Sequence, residues 1–160
     1  MRIGFDAVSL TWERSGTANY LVRLVRRLVA ADPDLQVVLF APDKICVDYG
    51  VFIDHPRIRR VILDLPRGER RKWTARHLPR LLKEYQIDLF HQPGGTDMAV
   101  FKSPCPVVIT IHDLAPWVLH SFKSWRKAFR YKFRSLFWAH QARRILTGTE
   151  VSRKDILRLC

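Results

Sequence analysis

The sequence predicts an α/β domain in which helices cover both faces of a mostly parallel sheet. Short apolar runs rich in β-branched residues alternate along the chain with longer stretches of helical spacing. The apolar runs are continuous, as is typical of parallel strands buried on both sides. With 160 residues, 48% of them hydrophobic, the chain is long and apolar enough for one domain with a substantial core.

The first strand is predicted in "RIGFDAVSL", followed by a turn at "SGT" and a helix over 17–31 that Asp32-Pro33 ends. A second helix over 69–86 contains Pro79, which must start it late, kink it or split it. A last helix has Ser152 as its predicted N-cap. The remaining elements are strands at 35–41, 58–66, 87–93, "PVVITIHD" and "RRILTGT", and a helix over about 121–142.

Several features of the sequence predict that the protein is located in the reducing cytoplasm. Asp6 interrupts what would be the apolar part of a signal peptide, and no apolar run reaches the roughly 18 residues of a membrane span. The three cysteines, Cys46, Cys105 and Cys160, are odd in number and lack a CxxC spacing. This usage argues against a disulfide framework and against a zinc site.

Positive charge is concentrated in two parts of the chain. The net charge is +13, yet residues 56–80 contribute +7 and residues 121–144 contribute +8, so the rest sums to −2. Such a distribution predicts a partner with negative charge, either an anionic membrane surface or a nucleic acid. No helix-turn-helix, zinc-finger or RNA-recognition motif accompanies it, which makes nucleic acid the less favoured partner.

Two connections that follow predicted strands carry residues suited to ligand binding. "LTWERSGTANYL" places Gly16 directly before a helix, where backbone N–H groups favour phosphate or carboxylate, although turn geometry alone also explains a glycine there. His112 and Asp113 follow the buried run "VVITI", at the edge where parallel sheets bind ligands. An imidazole there suits a sugar hydroxyl or a phosphate. The alternative is that His112 caps the core and Asp113 starts a turn.

Other polar residues give weaker signals. His91 ends the neighbouring strand, and we expect a structural role for it. Thr147, Thr149 and Ser152 form no triad pattern, and no cysteine lies near a histidine in the sequence. Nucleophilic catalysis therefore has no support.

The helix over about 121–142 presents two adjacent stripes. Its apolar stripe, which we expect to pack on the sheet, comprises Trp125, Phe129, Phe133, Leu136 and Phe137. The residues assigned to a surface for an anionic membrane are the basic side chains beside that stripe and one flanking tryptophan: Lys123, Arg126, Lys127, Arg130, Arg134 and Trp138. A solvated charged face is the alternative interpretation.

Four segments resemble, in this order, the amino-terminal half of glycosyltransferase family 4 enzymes: "MRIGFDAVSL…SGTANYLVRLVRRL", "DLFHQPGG", "PVVITIHDLAP" and "ARRILTGTEVSRKDILR". The resemblance implies a GT-B fold, in which two Rossmann-like domains face each other across a cleft. It also implies a retaining transfer from a nucleotide-sugar donor, with no metal or other cofactor required. Residues 1–160 would form a single Rossmann-like acceptor-side domain. The carboxy-terminal domain that binds the nucleotide sugar would be missing, so this chain would be inactive by itself.

The resemblance also implies roles for individual residues. His112 assists catalysis near the transferred sugar, and Gly16 and Thr17 lie beside the donor phosphate. Asp113 shapes the strand end. Thr149, Ser152 and Arg153 match cleft positions, whereas Ala18 and Asn19 stand where the family often has a later Gly-Arg. The basic helix would dock lipid-linked acceptors, such as glycolipid or polysaccharide precursors, at the inner face of the membrane.

Two other functions remain open at this point. One is a non-catalytic basic domain that binds an anionic membrane or, less favoured, a nucleic acid. The other is one subunit of a two-chain transferase, in which a separate polypeptide binds the donor. The sequence identifies neither the sugar nor the acceptor.

Overall fold

The fold is built around one parallel sheet. The computed structural model describes residues 1–11, 15–46, 49, 54–66, 69–94, 103–114 and 125–160. The six strands in these residues are all parallel and lie side by side in the order third, second, first, fourth, fifth, sixth, which confirms the predicted α/β fold class. The elements are β1 (Arg2–Asp6), a 3-10 helix (Val8–Thr11), α1 (Gly16–Ala31), β2 (Gln36–Ala41), β3 (Ile58–Ile62), α2 (Arg70–Glu84), β4 (Leu89–Gln92), β5 (Val107–Thr110), α3 (Trp125–Gln141), β6 (Arg144–Leu146) and α4 (Glu150–Leu159).

Each face of the sheet carries its own hydrophobic core, because successive side chains of a strand point to opposite faces. On one face, which we call the α1 face, helix α1 packs on side chains such as Phe5 and Leu39. On the other, which we call the three-helix face, α2, α3 and α4 pack on side chains such as Phe40 and Phe90. The residues that these three helices bury there are Leu78 and Leu82, Trp138, and Ile156.

The helix boundaries differ in detail from the prediction. Helix α1 begins at Gly16 because the Ser15 hydroxyl accepts the Ala18 N–H at 3.3 Å. Helix α2 runs through Pro79 from Arg70 to Glu84, so neither a late start nor a split occurs. The predicted N-cap at Ser152 is wrong. Thr149 caps α4, since its Oγ1 accepts the N–H of Ser152 at 3.1 Å.

Helix α3 turns a different face to the sheet than the sequence predicts. Ser135 and Trp138 are the buried side chains, with exposed fractions of 0% and 4%. Trp125, Phe129 and Phe133 are exposed by 75%, 66% and 61%, so their predicted packing on the sheet is wrong. Ser135 and Trp138 lie on the opposite side of α3 from these three rings, so the rings face away from the sheet.

Candidate active site at the carboxyl edge of the sheet

The carboxyl ends of the parallel strands lie at one edge of the sheet. β1 and β4 are neighbours, but β1 connects to β2 on one side and β4 to β5 on the other. Sheets of this order bind ligands in the crevice at that point. Helix α1 starts at this edge, and His112 follows β5 there. Tyr20, one turn after Gly16, meets His112 edge to face with ring centroids 5.1 Å apart, which confirms the predicted convergence of Gly16 and His112.

His112 is exposed, yet both its ring and its backbone are held. Its Nε2 lies 2.9 Å from the carbonyl oxygen of Pro93. Because a carbonyl can only accept, Nε2 carries the proton and donates it. In the neutral ring, Nδ1 is then the acceptor, which suits a substrate hydroxyl. The carbonyl oxygen of His112 accepts a hydrogen bond from Ser152 Oγ at 2.9 Å.

Three polar side chains form a hydrogen-bonded chain on the α1 face next to His112. Thr110 Oγ1 lies 3.0 Å from the Tyr20 hydroxyl and 2.8 Å from His91 Nε2. His91 is only 3% exposed and packs against Phe5. Burial, and secondarily the charge of His112, lowers the pKa of His91 from 6.5 to about 4. A neutral, buried His91 agrees with the structural role expected for it.

Helix α4 brings two predicted hydroxyl groups to the site, and both are hydrogen-bonded within the chain. Thr149 Oγ1 donates to Ser152 Oγ at 2.9 Å, and Ser152 Oγ donates to the His112 carbonyl. Both hydroxyl protons are therefore used in hydrogen bonds that link α4 to His112. Only the oxygen lone pairs of Thr149 and Ser152 remain to accept a hydrogen bond from a ligand. Arg153 is exposed and pairs with Glu150 at 3.0 Å, and Asp113 is exposed beside His112.

Gly16 and Thr17 form the first turn of α1, beside open space. Among the described residues, a Cβ on Gly16 would meet no atom within 4 Å, and its backbone is outside the left-handed region, so neither packing against these residues nor turn geometry requires glycine. A Cβ on Gly94 would lie 3.8 Å from Thr17 Cγ2, so the segment after β4 borders this turn. The first N–H groups of a helix have no helical partner and carry partial positive charge, which suits an anion. Among the described residues, no three His, Cys, Asp or Glu side chains are grouped to hold a metal ion.

Sequence reasoning missed three residues at this edge. Tyr20 lies four positions after Gly16 and Thr110 two before His112, so helical and strand periodicity put each on the same side as a predicted residue. Asp6 ends β1, is 5% exposed, and its Oδ2 lies 3.1 Å from Arg70 Nη2 at the start of α2. This ion pair ties the two elements together.

The residues predicted for a membrane surface separate in the structure. Arg126 is exposed and Arg134 is half-buried. Trp138 is 4% exposed in the core of the three-helix face, so its assignment to that surface is wrong. Lys123 and the side chains of Lys127 and Arg130 lie outside the described residues. Of the helices described, none combines the length and hydropathy that crossing a bilayer requires.

The strand order defines a Rossmann-like α/β domain, with a helix start and an imidazole at the carboxyl edge of its sheet. The family model described as Glycosyltransferase Family 4 matches residues 14–160. The chain belongs to glycosyltransferase family 4, as its sequence motifs predict.

A solved structure supports the same fold. The chain is similar to UDP-GlcNAc 2-epimerase from Methanocaldococcus jannaschii, with a TM-score of 0.56 and 11% sequence identity. The match covers 99% of this chain and 42% of that chain, so this protein spans less than half the length of the epimerase. At this identity the likeness shows the fold alone, the Rossmann-like α/β arrangement of this domain. No curated protein sequence matches the chain.

Proposed function

We propose that this domain is the acceptor-side half of a retaining glycosyltransferase that moves a hexose from a nucleotide sugar to an acceptor hydroxyl. Family membership supports the reaction class. The observation that carries the proposal is the placement of His112. Its Nε2–H is engaged by Pro93, its ring meets Tyr20, and its backbone is bonded to Ser152, which leaves Nδ1 for a sugar hydroxyl.

In this proposal, the first turn of α1 binds the negatively charged leaving group. The leaving group of a nucleotide sugar is a diphosphate, which preorganised N–H groups stabilise. The open space at Gly16 lets a phosphate approach these N–H groups, and Thr17 adds a hydroxyl beside them. Asp113 and Arg153 border the same edge. The proposed transfer needs no metal, and we assign the nucleotide pocket to the second Rossmann-like domain of a GT-B fold.

The test supplies a donor-binding half from a family member, by fusion or co-expression, and measures sugar transfer. We expect transfer in the combination and none from the chain by itself. His112→Ala should lower kcat about 100-fold or more, because a positioned imidazole is lost from the reacting centre. His140→Ala, at the exposed carboxyl end of α3, is the matched control and should leave kcat unchanged. Full activity of His112→Ala would remove His112 from the mechanism.

A two-chain enzyme is distinguished by the same assay. Mixing the separately folded halves would then restore transfer as well as fusing them does. Transfer in no combination, with both halves folded, would instead favour a non-catalytic domain and contradict the proposed function.

A further inference from the structure

One side of the molecule carries a row of exposed aromatic rings. Trp125, Phe129 and Phe133 are spaced four residues apart, so they lie along one side of α3. They are exposed by 61–75%, while Ser135 and Trp138 on the opposite side of the helix fix its orientation on the sheet. Large apolar side chains that are contiguous and exposed mark an interaction surface.

The fold also brings the helical parts of the two basic segments to the same side of the sheet. Residues 56–80 contain most of α2, residues 121–144 contain α3, and both helices pack on the three-helix face. On α2, the basic side chains at helical spacing point to solvent: Lys72, Arg76, Arg80 and Lys83. On α3, Arg126 is exposed beside the aromatic row and its guanidinium lies 5.5 Å from the Trp125 ring centroid. Residues 121–144 contain no acidic residue.

We propose that α2 and α3 together form a docking face for an anionic lipid bilayer. Trp125, Phe129 and Phe133 insert at the boundary between headgroups and acyl chains, and the basic side chains meet lipid phosphates. The positive charge of α2 and α3, together with the aromatic row, favours an anionic bilayer over a second copy of the chain or a nucleic acid. A second copy of the chain would bring two basic helices together, which like-charge repulsion opposes. A duplex nucleic acid would satisfy the cations but would leave the aromatic row in water. This docking does not depend on sugar transfer.

The experiment measures cosedimentation of the 160-residue chain with vesicles at physiological ionic strength. One set contains phosphatidylglycerol and phosphatidylcholine in equal parts, and the other phosphatidylcholine alone. We expect binding to the anionic vesicles to be at least about 10-fold tighter. Equal binding to both, or binding to neither, would overturn the proposal.

Two triple variants test the two parts of the face. Lys72→Gln/Arg76→Gln/Arg80→Gln should weaken binding to anionic vesicles by about 10- to 100-fold. Its matched control, Arg23→Gln/Arg26→Gln/Arg27→Gln, removes the same charge from the exposed side of α1 on the other face of the sheet. Because that side lies more than a Debye length away, binding should change less than about 3-fold. Equal losses in the two variants would show attraction by net charge alone and overturn the proposal.

The aromatic row is tested by Trp125→Ala/Phe129→Ala/Phe133→Ala, which should lower vesicle binding by about 10-fold or more, with an unchanged circular dichroism spectrum. The control replaces exposed apolar residues elsewhere: Ile62→Ala/Val151→Ala/Leu157→Ala. Unchanged binding of the aromatic variant would overturn the insertion. Tighter binding to duplex DNA than to anionic vesicles would favour a nucleic acid, and a dimer that the aromatic variant abolishes would favour a second copy. Either result would overturn the proposal.

Discussion

Helices α1 and α3 lie on opposite faces of the sheet, and each carries an apolar stripe beside a row of basic residues. α1 buries its stripe, which includes Leu21 and Val25, both fully inaccessible to solvent. α3 leaves Trp125, Phe129 and Phe133 exposed. α1 turns its stripe towards the sheet, whereas α3 turns the side with Ser135 and Trp138 towards it. An amphipathic stripe therefore becomes core only where that side of the helix faces the sheet.

The largest expected difference between α1 and α3 comes from truncating one residue in the apolar stripe of each helix. Leu21→Ala should lower the free energy of unfolding by about 2–5 kcal/mol, because it opens a cavity on the α1 face. Phe129→Ala removes a larger side chain from α3, yet the change should stay within about 0.5 kcal/mol, since that ring is already in water. Urea unfolding at unchanged m-value measures both. Similar losses would show that the α3 stripe is part of the core.

The α1 face should also make stability depend on pH through His91. The pKa of His91 falls from 6.5 to about 4 on folding, so between these values the unfolded chain binds a proton that the folded one does not. Stability should therefore drop as pH decreases from 6.5 to 4, by about 3 kcal/mol, with no further loss from this group below that range. His91→Gln should flatten the dependence, and the exposed His140→Gln should not. The midpoints of urea unfolding, measured across this pH range for the unmodified chain and the two variants, test this prediction. The same pH dependence in all three would contradict it.

The smallest of the three changes in stability is expected for a substitution at Gly4, on the three-helix face. A Cβ there would lie 3.0 Å from Phe40 Cε2 and 3.1 Å from Ile87 Cγ2, so Gly4→Ala should cost about 1–3 kcal/mol through overpacking. Gly148→Ala is the matched control, because a Cβ on Gly148 meets no atom within 4 Å. Thermal unfolding of both variants measures the difference. Equal melting temperatures would mean that the core around β1 is loosely packed.

The sheet was the part of the fold that the sequence predicted well. Continuous β-branched runs such as Val107–Thr110 and the helix-strand alternation suffice to predict a parallel layer, because such runs are stable only when buried on both sides. The orientation of α3 was not predictable in this way. Its apolar residues occupy more than one side of the helix, and which side faces the sheet emerges only in the folded structure.

The candidate site was predicted only in part. Parallel topology places Gly16 and His112 at one edge, so their convergence follows from the strand pattern alone. Tyr20, Thr110 and the Asp6–Arg70 pair were not predicted, because their significance depends on contacts between residues 64 to 90 positions apart. The capping role of Thr149 was missed because Ser152 offers an equally plausible hydroxyl three residues later.

The hydrogen bond from Ser152 to the His112 carbonyl joins residues 40 positions apart, and it has a consequence for the order of assembly. The His112 backbone receives this hydrogen bond only after the final helix has docked. A ligand that binds only when this hydrogen bond is formed would stabilise the docked α4, and its binding should slow amide hydrogen exchange in Glu150–Leu159. Local unfolding of that helix and ligand binding at the proposed site would then be thermodynamically linked.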